Sequence, residues 1–395
     1  MITRIVQAIV TLLVLGGVGV TAFRLSATAA RRLWLWLFVA IVGCGVTMMD
    51  AQAFISRWGF NGDNPKHGLI ALMDATGSRP FVYRRLAPTV VRIGTDFAMR
   101  RLSPRAVDYL VNQSALNRHR IAWDGGETWG PRKAVAFHVA YVVVWLSLLG
   151  TLLAGALLVH LVRRCSAFEA LMTASLGMCL VPFMFVGGAY LYDAPELLLW
   201  TSVLCIAIGG PVVLLPPMFL LMLVNKESAL VAAPALFPIL DARFGRRQGI
   251  VWTGVVFVLA SAWVVFVRRY YAHQPGGAME WWLPLNLAFW SNPKSYFLLA
   301  QIFSPALPAP RGANVILLLF FLLPIRFGWK SFRRDLKWSL VLVTLALLPL
   351  FFGFCYMDEL RNLSLCFPIL FLLLVEGVHA MFGGGQTAGV RESGA

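Results

Sequence analysis

The chain has 395 residues and a formal net charge of +16, but only 13% of its residues are charged while 59% are hydrophobic. A soluble domain carries roughly a quarter charged residues, so this balance excludes an ordinary soluble globular protein. The basic residues lie mainly in connections between apolar runs, which argues against a nucleic-acid partner and favours membrane lipids.

Apolar runs long enough to cross a bilayer recur along the chain. A hydrocarbon core of about 30 Å needs about 20 residues of helix, and backbone groups in lipid must bond within their own segment. The sequence therefore predicts an all-α, polytopic integral membrane protein with about eleven transmembrane helices. The clearest runs are 5–20, 33–49, 134–162, 171–191, 249–267, 315–325, 340–354 and 363–378.

We expect a single transmembrane domain over residues 1–382. The first run resembles a signal peptide, but Arg31 and Arg32 follow it and another run begins at once, so we interpret it as an uncleaved helix. The Gly-rich, polar segment 383–395 is expected to be a disordered cytoplasmic tail.

The short basic connections predict the orientation. Arg163, Arg246 and Lys330 belong to one alternating set of such connections, which the positive-inside rule places in the cytoplasm. The N-terminus is then outside and the C-terminus inside. The segment 51–133 becomes a large extracytoplasmic loop and 270–313 a second outer loop, since long loops translocate largely regardless of their charge.

Both outer loops have interfacial character. Between residues 86 and 102 apolar residues recur every three or four positions with charges between them, which predicts an amphipathic helix in the membrane interface. The second loop carries Trp281, Trp282 and Trp290, a composition typical of an aromatic belt. We favour an interface anchor over a sugar platform for the Trp281–Trp282 pair.

The region 197–240 is broken into short pieces by glycine and proline, with Lys226 and Glu227 at one break. Broken helices occur at membrane depth only where they are buried or line a cavity, and the freed backbone groups there can bind a ligand. Other ionisable residues lie at the ends of apolar runs, and the predicted topology gathers them on the outer face. Because charge in the bilayer is costly, their convergence indicates a site. The alternative is that they are solvated helix ends, paired for topology alone.

Four segments together resemble the GT-C superfamily of polytopic glycosyltransferases. An acid closes an early span in Met48-Met49-Asp50-Ala51-Gln52, and a basic segment with the sequence PFVYRRLAP follows at 80–88. A mid-chain Lys226-Glu227-Ser228 resembles the family's Lys-Glu-Thr-like motif. Near the end, Asp358-Glu359-Leu360-Arg361 precedes a span that contains Pro368. The family commonly has an adjacent acid pair where Asp50 stands alone, and here an additional span precedes the first outer loop.

The resemblance implies transfer of a sugar from a polyprenyl-phosphate donor to a glycan or lipid acceptor, at the extracytoplasmic face of the bacterial inner membrane. Such a reaction needs a carboxylate to take the acceptor proton and cations to hold the phosphate leaving group. Glu227 and Glu359 are expected to orient cations through local ion pairs. The implied residues are Asp50 as catalytic base; Arg84, Arg85, Lys226 and Arg361 for the donor phosphate; and Asp193, Glu196, Glu227, Asp358 and Glu359 as orienting or reserve acids.

Two other functions stay open at this point: a lipid-linked sugar flippase or transporter, and a polysaccharide polymerase or ligase. No cofactor follows with certainty. The histidines lack metal-ligand spacing, so side chains predict no metal site. Asp193 and Glu196, three residues apart, would share a helical face, which leaves a divalent metal at this pair as an alternative to their use as a reserve base.

Overall fold

A computed structural model describes residues 27–56, 60, 64–114, 116, 129–185, 188–277, 279–301 and 308–382. The first predicted span and the predicted tail lie outside the described residues. The α-helices in chain order are α1 (Ala27–Ser56), α2 (Leu69–Met73), α3 (Leu86–Arg101), α4 (Pro104–Asn112), α5 (Pro131–Arg163), α6 (Ala167–Met178), α7 (Val181–Phe185), α8 (Asp193–Ile208), α9 (Leu215–Asn225), α10 (Phe237–Phe244), α11 (Arg246–Tyr270), α12 (Leu283–Ser291), α13 (Val315–Gly328), α14 (Arg334–Phe354) and α15 (Phe367–Phe382).

Short elements join these helices. The 3-10 helices are Phe81–Tyr83, Val212–Leu214, Glu227–Ala232, Pro234–Leu236, Pro293–Phe297 and Leu360–Cys366. Two three-residue strands, β1 (Leu299–Gln301) and β2 (Pro308–Pro310), pair antiparallel. The predicted all-α class is confirmed, with this small ladder in the segment 270–313 as the exception.

Six helical segments of the described residues are long and apolar enough to cross a membrane, which indicates a membrane protein. They are Arg31–Ile55, Pro131–Arg163, Ala167–Phe185, Arg246–Tyr270, Arg334–Phe354 and Leu360–Phe382. Two shorter apolar segments, Val212–Asn225 and Val315–Gly328, fall below spanning length. The predicted number of about eleven spans is therefore not confirmed.

The broken middle region explains much of this difference. Helix α8 has 16 residues and is buried on almost every side, which is the pattern of a helix inside a protein rather than of one facing lipid. Pro216 and Pro217 lie in the first turn of α9, and the 3-10 helices that follow it continue to Leu236. Apolar residues here fill the protein interior, so an apolar run in this region is not by itself evidence of a membrane crossing.

Two apolar cores meet on α8. One core includes Phe54, Phe137 and Phe185 and reaches Leu197 of α8. The other surrounds Trp200, one helical turn further along, whose Nε1 donates to the carbonyl of Leu365 at 2.6 Å. The first turn of α8 is thereby held between the two halves of the molecule.

The segment predicted to be an amphipathic helix in the membrane interface forms helix α3. Its residues Val91 and Thr95 are buried, and a Cβ at Gly94 would lie 2.8 Å from Val139 of α5, so the two helices approach closely. The opposite side of α3 exposes Ile93 and Phe97.

The two segments predicted to be the first and second outer loops pack against each other. The Arg79 amide donates to the carbonyl of Pro275 at 2.8 Å. Gly276 has φ +94°, and a Cβ there would lie 2.7 Å from the carbonyl oxygen of Arg79, so glycine permits this close approach. The second loop also caps α14, since the buried Asn286 side chain donates to the carbonyls of Phe352 and Cys355 at 2.7 Å each. These contacts enclose one end of the helix bundle.

Candidate functional site

A cavity of about 540 Å³ lies at this enclosed end. It is lined by residues of the segments 67–84 and 279–282, the first turn of α8, the non-helical segment after α9, the end of α11 and the non-helical segment after α14. The lining contains both charged and apolar side chains. The charged or polar lining residues are His67, Arg84, Glu196, Lys226, Glu227, Ser228, Arg268, Glu280, Glu359, Arg361 and Asn362.

The first turn of α8 supplies two buried acids, Asp193 and Glu196, each 1% exposed. The Tyr190 amide donates to Asp193 Oδ2 at 2.8 Å. Carboxylates are favoured at this position because the first N–H groups of a helix have no partner within it. Both acids point toward Lys226, whose Nζ donates to Asp193 Oδ1 at 3.2 Å and to Glu196 Oε2 at 2.7 Å.

The break between α9 and the next 3-10 helix places Lys226. Helix α9 ends at Asn225, whose side-chain amide donates to the carbonyl of Tyr192 at 2.8 Å. Lys226 itself has extended backbone (φ −157°, ψ 118°), which turns the chain out of the helix beside the start of α8. The helix break predicted at Lys226 therefore places its ammonium group beside two acids that lie about 30 residues earlier in the chain.

Arg361 joins the same acids from the other side. It donates to Asp193 Oδ2 at 3.2 Å and to Glu359 Oε2 at 2.7 Å, and its guanidinium lies 4.2 Å from the Tyr190 ring centre. The neighbouring Ser364 hydroxyl donates to Glu196 Oε2 at 2.7 Å. The local pair expected between Glu359 and Arg361 is present.

Arg84 comes from the first outer loop. Its Nε and Nη2 donate to the two carboxylate oxygens of Glu227 at 3.3 and 3.4 Å, and its Nη1 donates to the Tyr192 hydroxyl. The guanidinium also lies 4.4 Å from the centre of the Tyr192 ring. Glu227 was expected to form a local pair, but its partner is 143 residues away, because the main chain of Arg85 is fixed to the end of α9 by a 2.8 Å bond to the Val224 carbonyl.

We call these side chains the charge cluster: Arg84, Asp193, Glu196, Lys226, Glu227, Glu359 and Arg361. Three cations face four carboxylates, and Asp193 contacts both Lys226 and Arg361. Desolvated charges require such pairing, since removal of one partner leaves an uncompensated buried charge.

Four predicted site residues do not line the cavity: Asp193, which belongs to the charge cluster, and Arg85, Asp358 and Asp50. Arg85 Nη1 donates to the Leu72 carbonyl at 2.6 Å, and Asp358 is held by Arg311 through two bonds of 2.8 Å. Asp50 does not end its span, because α1 continues to Ser56, about 9 Å further along the helix axis. The Asp50 carboxyl is buried, and its Oδ2 has no hydrogen-bond partner among the described residues. The role of Asp50 as catalytic base stays a prediction.

Sequence reasoning missed the aromatic and imidazole groups of the site. Tyr190 and Tyr192 immediately precede Asp193, and a pair of tyrosines beside an acid was a signal that could have been used. His67 lines the cavity and packs against the rings of Phe81 and Tyr190, with centroids 5.0 and 5.3 Å apart. Burial, followed by the charges of Arg361, Lys66 and Arg84, lowers the pKa of His67 to about 4. Its imidazole is neutral at pH 7.

Asp193 and Glu196, the two acids considered as metal ligands, both bond the same lysine. Lys226 Nζ bonds both Asp193 and Glu196, so an ammonium group already occupies the space between these carboxylates. Within the described residues, no group of three or more His, Cys, Asp or Glu side chains is arranged to hold a metal ion.

No protein-family model, curated protein or solved structure matches the chain. Fold and site define it as a helical protein with segments long and apolar enough to span a membrane and a cavity lined by both charged and apolar side chains.

Proposed function

We propose that the protein is a GT-C-like glycosyltransferase that moves a sugar from a polyprenyl-phosphate donor to a glycan or lipid acceptor. The observation that carries this proposal is the mixed lining of the cavity. Arg84, Lys226 and Arg361 line it together with apolar side chains of α11 and α14, including Val264 and Phe351. A lipid phosphate needs both environments, since its head is anionic and its chain is apolar.

The cations of the charge cluster have bonding capacity for a phosphate. A guanidinium has five N–H donors, and Arg84 uses three of them in its bonds to Glu227 and Tyr192. The Lys226 ammonium has three donors, two of which bond Asp193 and Glu196. A phosphate oxygen between Arg84 and Lys226 would therefore add to the existing pairs without breaking them.

The proposed topology has about eleven spans, with the N-terminus outside, the C-terminus in the cytoplasm and the cavity on the extracytoplasmic face of the bacterial inner membrane. The direction in which two helices run supports this orientation. Helix α11 begins at the basic Arg246 and α14 at Arg334, and each runs to the cavity at its other end. Short basic connections are cytoplasmic, so the cavity belongs to the outer side.

A lipid-linked sugar flippase is the second candidate, because a broken helix with a charged residue at its junction, here at Lys226, is also the pattern of transporter sites. A polysaccharide polymerase would use the same kind of site and differs in its product.

The test uses the purified full-length protein in proteoliposomes with radiolabelled polyprenyl-phosphate sugars. We expect one sugar to be transferred to a glycan or lipid acceptor. Arg84→Gln should reduce transfer at least tenfold, because one charge-assisted contact to the phosphate is lost. Arg85→Gln is the matched control: it removes the neighbouring arginine, which does not line the cavity, and should retain transfer.

The other outcomes decide among the alternatives. Movement of the labelled lipid across the bilayer without any acceptor would establish the flippase, and a ladder of products would establish the polymerase. Equal activity of both arginine variants would overturn the proposed phosphate site. Absence of both binding and transfer for every polyprenyl-phosphate sugar would overturn the proposed function.

A further inference from the structure

We infer that His67 is the group that accepts the proton of the acceptor hydroxyl during sugar transfer, and that a phosphate bound at Arg84 and Arg361 prepares it for this step. The inference rests on the proposed function. It begins from a difference in position: Asp50 does not line the cavity, whereas His67 does.

The carboxylates of the charge cluster are poorly placed for this role because each is already held by a cation. Among those that line the cavity, Glu196 lies 2.7 Å from Lys226, Glu227 3.3 Å from Arg84 and Glu359 2.7 Å from Arg361. Each of these pairs directs a carboxylate oxygen at a cation of the charge cluster instead of at an incoming hydroxyl.

His67 differs from these acids in charge and in bonding. It is half-buried in the segment that precedes α2, and it lines the cavity beside Phe81 and Tyr190. Its Nδ1 is buried, and none of the described residues makes a hydrogen bond to it. A neutral imidazole has one ring nitrogen that can accept a proton, and the aromatic wall holds the ring in place.

The surrounding charges explain how donor binding could prepare the histidine. Arg361, Lys66 and Arg84 all disfavour protonation of His67, and burial acts in the same direction, giving a pKa of about 4. Tyr190 is the titratable group in ring contact with it. A phosphate placed against Arg84 and Arg361 brings negative charge that opposes their field, so the imidazole becomes a stronger base when the donor is present.

The chemical step balances as follows. The acceptor oxygen forms a bond to the anomeric carbon while its proton moves to an imidazole nitrogen of His67. The bond between the anomeric carbon and the phosphate oxygen breaks, and its electron pair leaves with the polyprenyl phosphate. The imidazolium then carries the additional positive charge and the phosphate the additional negative charge, and the proton is later released to water.

The direct test measures protonation of His67 without requiring turnover. The full chain, labelled at histidine with ¹³C and ¹⁵N, is titrated by NMR in detergent with farnesyl phosphate or with farnesol. Farnesyl phosphate should raise the titration midpoint of His67 by at least one pH unit, and farnesol should not. His160, about 40 Å along α5 from the helix start, should respond to neither. Binding of farnesyl phosphate with an unchanged His67 midpoint would overturn the inference.

The second test measures transfer and distinguishes His67 from Glu280, an exposed acid that also lines the cavity. His67→Gln should lower turnover by about 10²- to 10⁴-fold, the usual contribution of a general base, and leave donor affinity unchanged. His67→Asn is the second variant if the first does not fold. Glu280→Gln should retain transfer.

Normal transfer by a folded His67 variant, or loss in Glu280→Gln alone, would exclude His67 as the base while leaving the proposed function intact. If the wild-type protein transfers no sugar, the proposed function fails, and the NMR titration still decides whether His67 responds to a lipid phosphate.

Discussion

Asp193 and Asp50 are buried to the same extent, with about 1% of each residue exposed, yet their surroundings differ completely. Asp193 contacts Lys226, Arg361 and the amide of Tyr190. Asp50 has no ion-pair partner among the described residues, and its Oδ2 lacks a hydrogen bond. Burial of an acid in a membrane protein therefore does not identify a site, whereas burial together with cations from other segments does.

The local backbone accounts for part of the contrast. Asp193 begins α8, where the first N–H groups are free to bond a carboxylate. Asp50 lies within α1, where backbone donors are used inside the helix. The remainder of the contrast comes from packing. The non-helical segment after α9 places Lys226 beside the start of α8, and the segment after α14 places Arg361 there.

The largest expected loss of stability follows removal of the cation that two acids share. Lys226→Met leaves Asp193 and Glu196 buried without their common partner and should lower the free energy of unfolding by about 3–5 kcal/mol. Equilibrium unfolding in detergent measures the change. Lys294→Met, at an exposed lysine, is the control and should change it by less than about 0.5 kcal/mol. A small effect at Lys226 would mean that the charge cluster does not organise this end of the protein.

A smaller loss of stability is expected at the less buried ion pair of Arg84 and Glu227. Arg84 and Glu227 side chains are each 13% exposed, so Glu227→Gln should cost about 1.5–3 kcal/mol, the range for hydrogen bonds to charged groups. A double-mutant cycle with Arg84→Met measures the coupling between the two side chains. Additive losses in that cycle would show that the two residues do not interact.

Replacement of Asp50 should change little. Asp50→Asn conserves volume and removes no ion pair seen in the structure, so we expect a cost of about 1.5 kcal/mol or less and retained transfer activity. Stability and transfer are measured on the same preparation. Abolished transfer in a well-folded Asp50→Asn protein would restore the catalytic role suggested by the GT-C resemblance.

The smallest effect should come from the exposed pair of Asp74 and Arg132, whose side chains are 34% and 46% exposed. The hydrogen bond from Arg132 lowers the pKa of Asp74 below its ordinary value. Its stabilisation is therefore fully present above about pH 4 and is lost as the pH falls through the lowered pKa. Asp74→Asn should cost at most about 1 kcal/mol at pH 7, and less in high salt. A pH-independent cost would show that the charge is not involved.

Several elements could be predicted because their signals are local. The period of apolar residues placed α3 correctly, and the proline and glycine content of 197–240 predicted broken helices around Lys226. The number of spans could not be predicted from the same signal, since a run such as α8 is apolar for packing against protein on all sides. Hydropathy shows only that a helix prefers apolar surroundings, and both lipid and the protein interior are apolar.

The sequence by itself determined the class of protein, most helix locations and the concentration of charge at the ends of apolar runs. Only the tertiary structure decided which charges meet. Arg361 reaches Asp193 across 168 residues and Arg84 reaches Glu227 across 143. Asp50 also ends an apolar run, but it has no ion-pair partner among the residues that the structure describes. The physical reason is that apolar and turn patterns act over a few residues, while ion pairing and cavity formation depend on where packed helices and loops bring distant segments together.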